Sequence, residues 1–243
     1  MRRLRYTSML FDLFHTLVEP DDHRAGPGGK EYRAGLMLGT DPSRFAAFWR
    51  QSERQRLTDG RCRVADALAQ YVESTGEPIP DNVLREVEQE WGRSEDEAMR
   101  SPDPDAGPCL VALAARGVSL GLLSNADERT ARAWVGSPLH SHFRAVAFSY
   151  EIGAAKPDRL AYRRALELLG ADPQDAVFVG DGGAGELRGA RMAGFGLVVF
   201  MRGHLLRTGR CGVARLAERA AEADLVLDRL SDLPDQLSMV LTK

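Results

Sequence analysis

Four short polar stretches of this chain could do chemistry together, and each follows an apolar run that reads as a buried strand. Met9-Leu10-Phe11 delivers Asp12, with Phe14, His15 and Thr16 just beyond it. Leu122-Leu123 delivers Ser124-Asn125. Ala155-Lys156-Pro157-Asp158 lies in the loop after a third run, and Val177-Phe178-Val179-Gly180 delivers Asp181-Gly182-Gly183, with Glu186 following. Carboxylates, a hydroxyl, an amide and an ammonium are a combination suited to a phosphoryl group held beside a divalent cation. Carboxylate oxygens are hard ligands for Mg²⁺. A serine hydroxyl, backbone N–H groups and a lysine can grip phosphate oxygens, and an aspartate can act as a covalent nucleophile on phosphorus. Taken singly, each stretch also suits a structural role: an aspartate or a Ser-Asn pair after a strand makes a turn, Lys-Pro-Asp starts a helix, and Gly-Asp-Gly-Gly is an ordinary loop.

These groups can meet only if the strands carrying them run parallel, because open α/β sheets bind ligands just beyond the carboxyl ends of their strands. Apolar runs predict strands at 9–11, 118–123, 145–148, 176–179, 197–200 and near 225–227, with helices between them at 110–115, 128–135, up to Leu169 and 186–193. Asp158 reads as the N-cap of the helix that Gly170 closes. Alternating strands and helices predict βαβ units and an α/β fold built on a doubly wound parallel sheet. The basic, glycine-containing stretch 203–215 reads as a loop and a helix. Between the first strand and the rest, the only periodicity is helical: Phe45, Phe48 and Trp49 share a face, Val64, Leu68, Tyr71 and Val72 another, and Leu84, Val87 and Trp91 a third. This block is bounded by a turn-rich stretch over 19–30 and by 101–108, whose prolines read as a linker that cannot continue a helix.

At 243 residues, 44% hydrophobic and 28% charged, the chain can bury a full core and is neither disordered nor of a membrane class. Its net charge of −3 supplies no basic field for nucleic acid. Lysine occurs only at positions 30, 156 and 243, so Lys156 is an ammonium where arginine is this chain's default. Cys62, Cys109 and Cys211 lack metal-ligand spacing and leave an odd thiol, which argues against a disulfide framework or a zinc site. The basic start, Met1 to Arg5, leads into an apolar run too short for a signal peptide, and no stretch is long enough to span a membrane. A reduced, cytoplasmic compartment is the expectation, with neither nucleic acid nor membrane as a partner.

The stretches Phe11-Asp12-Leu13-Phe14-His15-Thr16-Leu17, Leu122-Leu123-Ser124-Asn125, Lys156-Pro157-Asp158 and Val179 to Ala190 occur in the order of four known motifs. By them the chain resembles the haloacid dehalogenase-like (HAD) hydrolase superfamily over essentially its whole length. The resemblance implies a Rossmann-like core over 1–18 and 104–243 with an inserted, all-helical cap over 19–103. It implies Asp12 as the nucleophile that forms an aspartyl intermediate, with Ser124 and Lys156 gripping the phosphoryl oxygens and Asn125 beside them at the substrate. It also implies Mg²⁺ held by Asp12, the Phe14 backbone carbonyl, Asp181 and Glu186, the last directly or through water. The substrate class implied is a small phosphorylated metabolite selected by the cap, where Arg33, Arg50, Arg54, Arg56 and Arg61 are candidates to meet its anion.

One position departs from the pattern. Most phosphatases resembling this chain carry a second aspartate two residues after the nucleophile, as acid and base; here that residue is Phe14. Losing a positioned acid/base costs about 10²–10⁴ in rate. Three readings follow: a Mg²⁺-dependent phosphatase using water, a cap residue or His15 as proton carrier, or favouring good leaving groups; a dehalogenase in which Asp12 attacks carbon; or a weakly catalytic or purely binding member. Asp181 with Glu186 looks like the metal-binding form of the fourth motif and favours the first.

Overall fold

The structure is a computed structural model and describes residues 5–19, 29–76, 78–209 and 211–240. Its centre is a six-stranded sheet of β1 (Ser8–Phe11), β2 (Ser119–Ser124), β3 (Ala145–Phe148), β4 (Ala176–Gly180), β5 (Leu197–Met201) and β6 (Leu225–Leu227). The spatial order is β3-β2-β1-β4-β5-β6, and every neighbouring pair is parallel. Each strand lies within a residue or so of its apolar run, because such runs, buried on both faces, are what a covered parallel sheet requires. This is the doubly wound Rossmann-like order, in which the chain leaves β1 toward β2 on one side and returns to β4 on the other.

Alternate side chains of the strands feed two cores. On one face Met9, Phe11, Val177, Val179 and Val199 pack with Cys109, Leu110 and Leu113 of α6 (Ala106–Ala115), with Ala133 and Trp134 of α7 (Glu128–Trp134) and with a C-terminal helix, Leu233–Val240. On the other, Leu10, Phe178, Val198 and Phe200 pack with Tyr162, Ala165 and Leu169 of a helix at Arg159–Leu169 and with Leu187 and Ala190 of a helix at Glu186–Ala193. Asp158 caps the first of these helices by accepting from the Leu160 amide at 2.9 Å, and Gly170 closes it at φ 69°.

Between β1 and α6 the described residues form five helices, α1 (Lys30–Met37), α2 (Pro42–Gln51), α3 (Glu53–Thr58), α4 (Val64–Thr75) and α5 (Asp81–Arg100). They bury their own apolar cluster of Phe45, Trp49, Val64, Leu68, Tyr71, Val87 and Trp91. Phe45 meets Tyr71 edge-on at 4.8 Å, and Trp49 meets Trp91 at 4.5 Å. The turn-rich entry expected at 19–30 falls largely on residues 20–28, outside the described residues. The exit differs from expectation: Ala106, Gly107 and Pro108 open α6 rather than lying in a linker. Pro108 sits in the first helical turn, where a missing N–H breaks no intrahelical bond. The basic stretch near 203–215 forms two helices, Gly203–Thr208 and, here labelled α8, Val213–Ala221. No helix among the described residues is long and apolar enough to cross a membrane.

All three cysteines are free thiols. Burial raises the Cys62 pKa and pushes Cys109 up to about 12, whereas Cys211 is half-exposed. Because the thiolate is the reactive form, iodoacetamide at pH 8 should label only Cys211 in the native protein, with Cys62 and Cys109 reacting after unfolding. Native-state labelling of Cys109, read by peptide mass, would contradict this packing.

Candidate active site

The switch between β1 and β4 gathers the predicted groups. Asp12 follows β1, and its backbone N–H donates to the Val179 carbonyl at 2.8 Å, tying the end of β1 to β4. One carboxylate oxygen of Asp12 accepts from Lys156 Nζ, and the other accepts from Thr16 Oγ1 at 3.0 Å. Lys156 Nζ also donates to Glu186 Oε2 at 2.5 Å, while Glu186 Oε1 accepts from the Gly182 amide at 3.0 Å. Gly180 makes this possible, since a Cβ there would lie 2.2 Å from Glu186 Oε1. Asp181 accepts from the Gly183 amide at 2.8 Å, in a loop where Gly182 adopts φ 81°.

Lys156 is held from behind. Its backbone N–H donates to Asn125 Oδ1 at 2.7 Å, and Asn125 Nδ2 donates to the Lys156 carbonyl at 2.9 Å. Asn125, expected at the substrate, thus lines the chamber but uses both polar side-chain atoms to position the lysine. Ser124 ends β2 fully buried, and among the described residues its Oγ has no hydrogen-bond partner. A buried hydroxyl without a partner costs about 1–3 kcal/mol, so an acceptor arriving beside it would be stabilised there. Phe14 lines the chamber half-buried and packs against the core on the β1 side. His15, with φ 61°, also lines the chamber and stacks on His204 at 4.4 Å.

The electrostatics at the strand ends are those of an under-neutralised anion cluster. Oxygens of Asp12, Asp181 and Glu186 lie within 4.8 Å of one another, and all three residues are buried. Burial, with the neighbouring Asp12 charge, raises the Asp181 pKa and pushes Glu186 up to about 8. Burial alone would lower the Lys156 pKa, but attraction to Asp12 and Glu186 outweighs it and holds the ammonium above its ordinary value. Three crowded carboxylates facing Lys156, with Arg219 at the edge of Asp181, fit a divalent cation, whose hard charge takes oxygen ligands. Three of the four residues that the resemblance implies as metal ligands, Asp12, Asp181 and Glu186, come together here and Phe14 lines the same chamber, although both Glu186 oxygens are already engaged.

Three contributors escaped the sequence reading. Thr16 was visible only as the end of a polar patch. Arg219 of α8 donates to the Asp181 carbonyl at 2.8 Å and lies 3.5 Å from its carboxylate; it is separated from Asp181 in sequence, and nothing local marks it. Arg129 of α7 lines the same chamber, of about 450 Å³, as do Lys30 of α1, Arg56 of α3 and Glu95 of α5. Of the five arginines weighed as anion contacts, only Arg56 is buried; Arg50, Arg54 and Arg61 are exposed, and Arg33 pairs with Glu90 at 3.2 Å.

A family model described as haloacid dehalogenase-like hydrolase matches residues 7–194. A phosphoserine phosphatase of Thermus thermophilus is 34% identical over 139 residues, a stretch that spans 52% of this chain and about half, 56%, of that enzyme. A ribulose-1,5-bisphosphate 5-phosphatase of Halopiger xanaduensis is 28% identical over 96% of this chain and 99% of its own. Among solved structures, a 2-haloacid dehalogenase from Pseudomonas syringae pv. Tomato DC3000 superposes with a TM-score of 0.65 at 22% identity, covering 97% of this chain and 99% of that one. At that identity the likeness is one of fold.

The raised Glu186 pKa has a sign that can be checked. A carboxyl that binds its proton more tightly folded than unfolded stabilises the fold below its ordinary 4.5, and that contribution is lost as pH rises through about 8. The protein stripped of metal with EDTA should therefore lose thermal stability between pH 5 and pH 8.5, and Glu186→Gln should flatten that decline. An unchanged slope in the variant would refute the assignment.

Proposed function

This chain belongs to the haloacid dehalogenase-like hydrolase family, and from that premise we propose that it is a Mg²⁺-dependent phosphatase of small phosphorylated metabolites. The observation that carries the reading is the trio of buried carboxylates, Asp12, Asp181 and Glu186, crowded at one strand edge. Hydrolysis at carbon needs no such cluster, so the dehalogenase reading rests on the aromatic Phe14 alone.

Asp12 attacks phosphorus with a carboxylate oxygen. The bond to the leaving oxygen breaks, the leaving group departs as an anion that takes its proton from water, and an aspartyl-phosphate remains. Water then attacks phosphorus, releasing inorganic phosphate and restoring the carboxylate. Thr16 and Lys156 orient the nucleophile through its two oxygens, and Asn125 and Glu186 orient Lys156. The free Ser124 hydroxyl and the lysine supply donors to the phosphoryl oxygens. Asp12, Asp181 and the Phe14 carbonyl would hold Mg²⁺, with Glu186 behind them. When bound, the cation offsets the repulsion between phosphoryl group and carboxylate. The helical block over 19–103 serves as the cap, excluding water while the acyl phosphate exists.

Phe14 offers no proton to the leaving oxygen, so the enzyme favours leaving groups that depart as stable anions. Phosphate release from an aryl or acyl phosphate should exceed that from an alkyl phosphate by about 10²–10⁴, the range for a missing general acid. Release should require Mg²⁺ and vanish in Asp12→Asn, while circular dichroism stays native. Phe14→Asp should raise turnover of the alkyl ester. Mg²⁺-independent halide release from a haloacid, without phosphatase activity, would reverse the reading.

A further inference from the structure

The chamber that holds Asp12 has a second charged wall, built from groups of both signs. Lys30, Arg56 and Arg129 line it together with Glu95 and Asp127. Arg129 pairs with Asp127 at 3.0 Å and with Glu95 at 3.4 Å, and Lys30 shares the same Glu95 oxygen at 3.4 Å. Thr130 Oγ1 donates to the other Glu95 oxygen at 3.2 Å. Glu31, Arg50 and Glu53, half-buried or exposed, complete the charged lining; of the buried charged groups here, Arg56, Glu95, Asp127 and Arg129, only Arg56 has no ion pair among the described residues.

Arg56 is 5% exposed, yet among the described residues no carboxylate forms an ion pair with it. Only Nη1 is bonded, donating to the Trp49 carbonyl at 2.7 Å and to Ser52 Oγ, while the guanidinium lies 3.7 Å over the Trp49 ring. Burial lowers its pKa to about 10, against the pull of Asp127 and of Glu53 at the exposed rim, with the like charge of Arg129 acting in the same direction as burial. Arg129 lies 5.0 Å over Trp91, which touches Trp49, and its Nε and Nη1 are buried without partners. Two guanidiniums carried on two touching indoles, with donors unspent, form a site short of an anion, because buried charges are ordinarily paired.

We propose that Arg56, backed by Arg129, receives a second anionic group of the substrate, so that the phosphomonoester hydrolysed here also carries a carboxylate or a second phosphate. The planar guanidinium fork suits either group. This inference rests on the phosphatase reading for the end that is cleaved, but not for the end that is held.

The test uses three matched three-carbon phosphomonoesters ending in a carboxylate, a second phosphate or a hydroxyl. Binding to the Asp12→Asn protein is measured by calorimetry with Mg²⁺, and turnover is measured with the wild type. One or both anionic esters should bind about 10- to 100-fold tighter than the hydroxyl ester, the range for a charged hydrogen bond; the tighter of the two identifies the group. Arg56→Met should erase that preference, chiefly through KM, and should affect p-nitrophenyl phosphate, which lacks a second anion, far less than the anionic ester. Arg56→Lys should keep part of the preference. Equal affinity for all three esters overturns the inference, as does an Arg56→Met variant that retains the preference. If Arg56→Met does not fold, the wild-type ranking and Arg56→Lys decide. A preference for anions without Asp12-dependent turnover would overturn the phosphatase reading and leave this one standing.

Discussion

Lys156 lies buried between Asp12 and Glu186, and the sheet edge depends on that ammonium because β1 and β4 each deliver a carboxylate there. Carboxylates this close in a buried site repel one another and lose hydration; one shared cation partly offsets both costs. Removing a partner from such a pair typically costs about 3–5 kcal/mol, since it leaves a buried charge uncompensated. The lysine is correspondingly fixed at both ends, by Asn125 on its backbone and by two carboxylates on its ammonium. Its short compact charge fits between them where a guanidinium fork would not. That gives a physical reason for one of the few lysines in an arginine-rich chain to stand at this position.

The compensation is incomplete by design of the topology. A doubly wound sheet aims the carboxyl ends of β1 and β4 into one crevice, and the loop after β4 adds Asp181 and Glu186 within a few residues. The resulting deficit of positive charge is local to the strand ends. Across the same chamber, Arg56 of α3, which has no ion pair among the described residues, and Arg129 of α7 lie on tryptophan faces. In a cavity walled by protein, charges are screened less than in water, so a guanidinium without an ion pair there acts strongly on an incoming anion.

The helical block has its own aromatic cluster and joins the sheet's core mainly through Met99 at the end of α5. Its polar link to the rest runs through Glu95 to Arg129 and Thr130, and through the Val64 amide, which donates to Glu128 at 2.9 Å. Such charged seams are weaker than apolar ones and more easily rearranged.

The sequence by itself determined the strands, the caps of the helix at Arg159–Leu169, the helical block and the residues that end each strand, because these follow from patterns within a few residues: apolar runs, Asp and Gly at helix ends, polar residues at turns. The prolines near 101–108 misled only about where α6 begins, since proline tolerates a first helical turn as readily as a linker. The tertiary structure alone decided which strand lies beside which, that Asn125 holds Lys156 rather than standing free, and that Arg219 reaches Asp181. It likewise decided that Arg56, of five similar arginines, is the buried one. Charge and burial at a point in space depend on neighbours distant in the chain, and no local pattern carries that information.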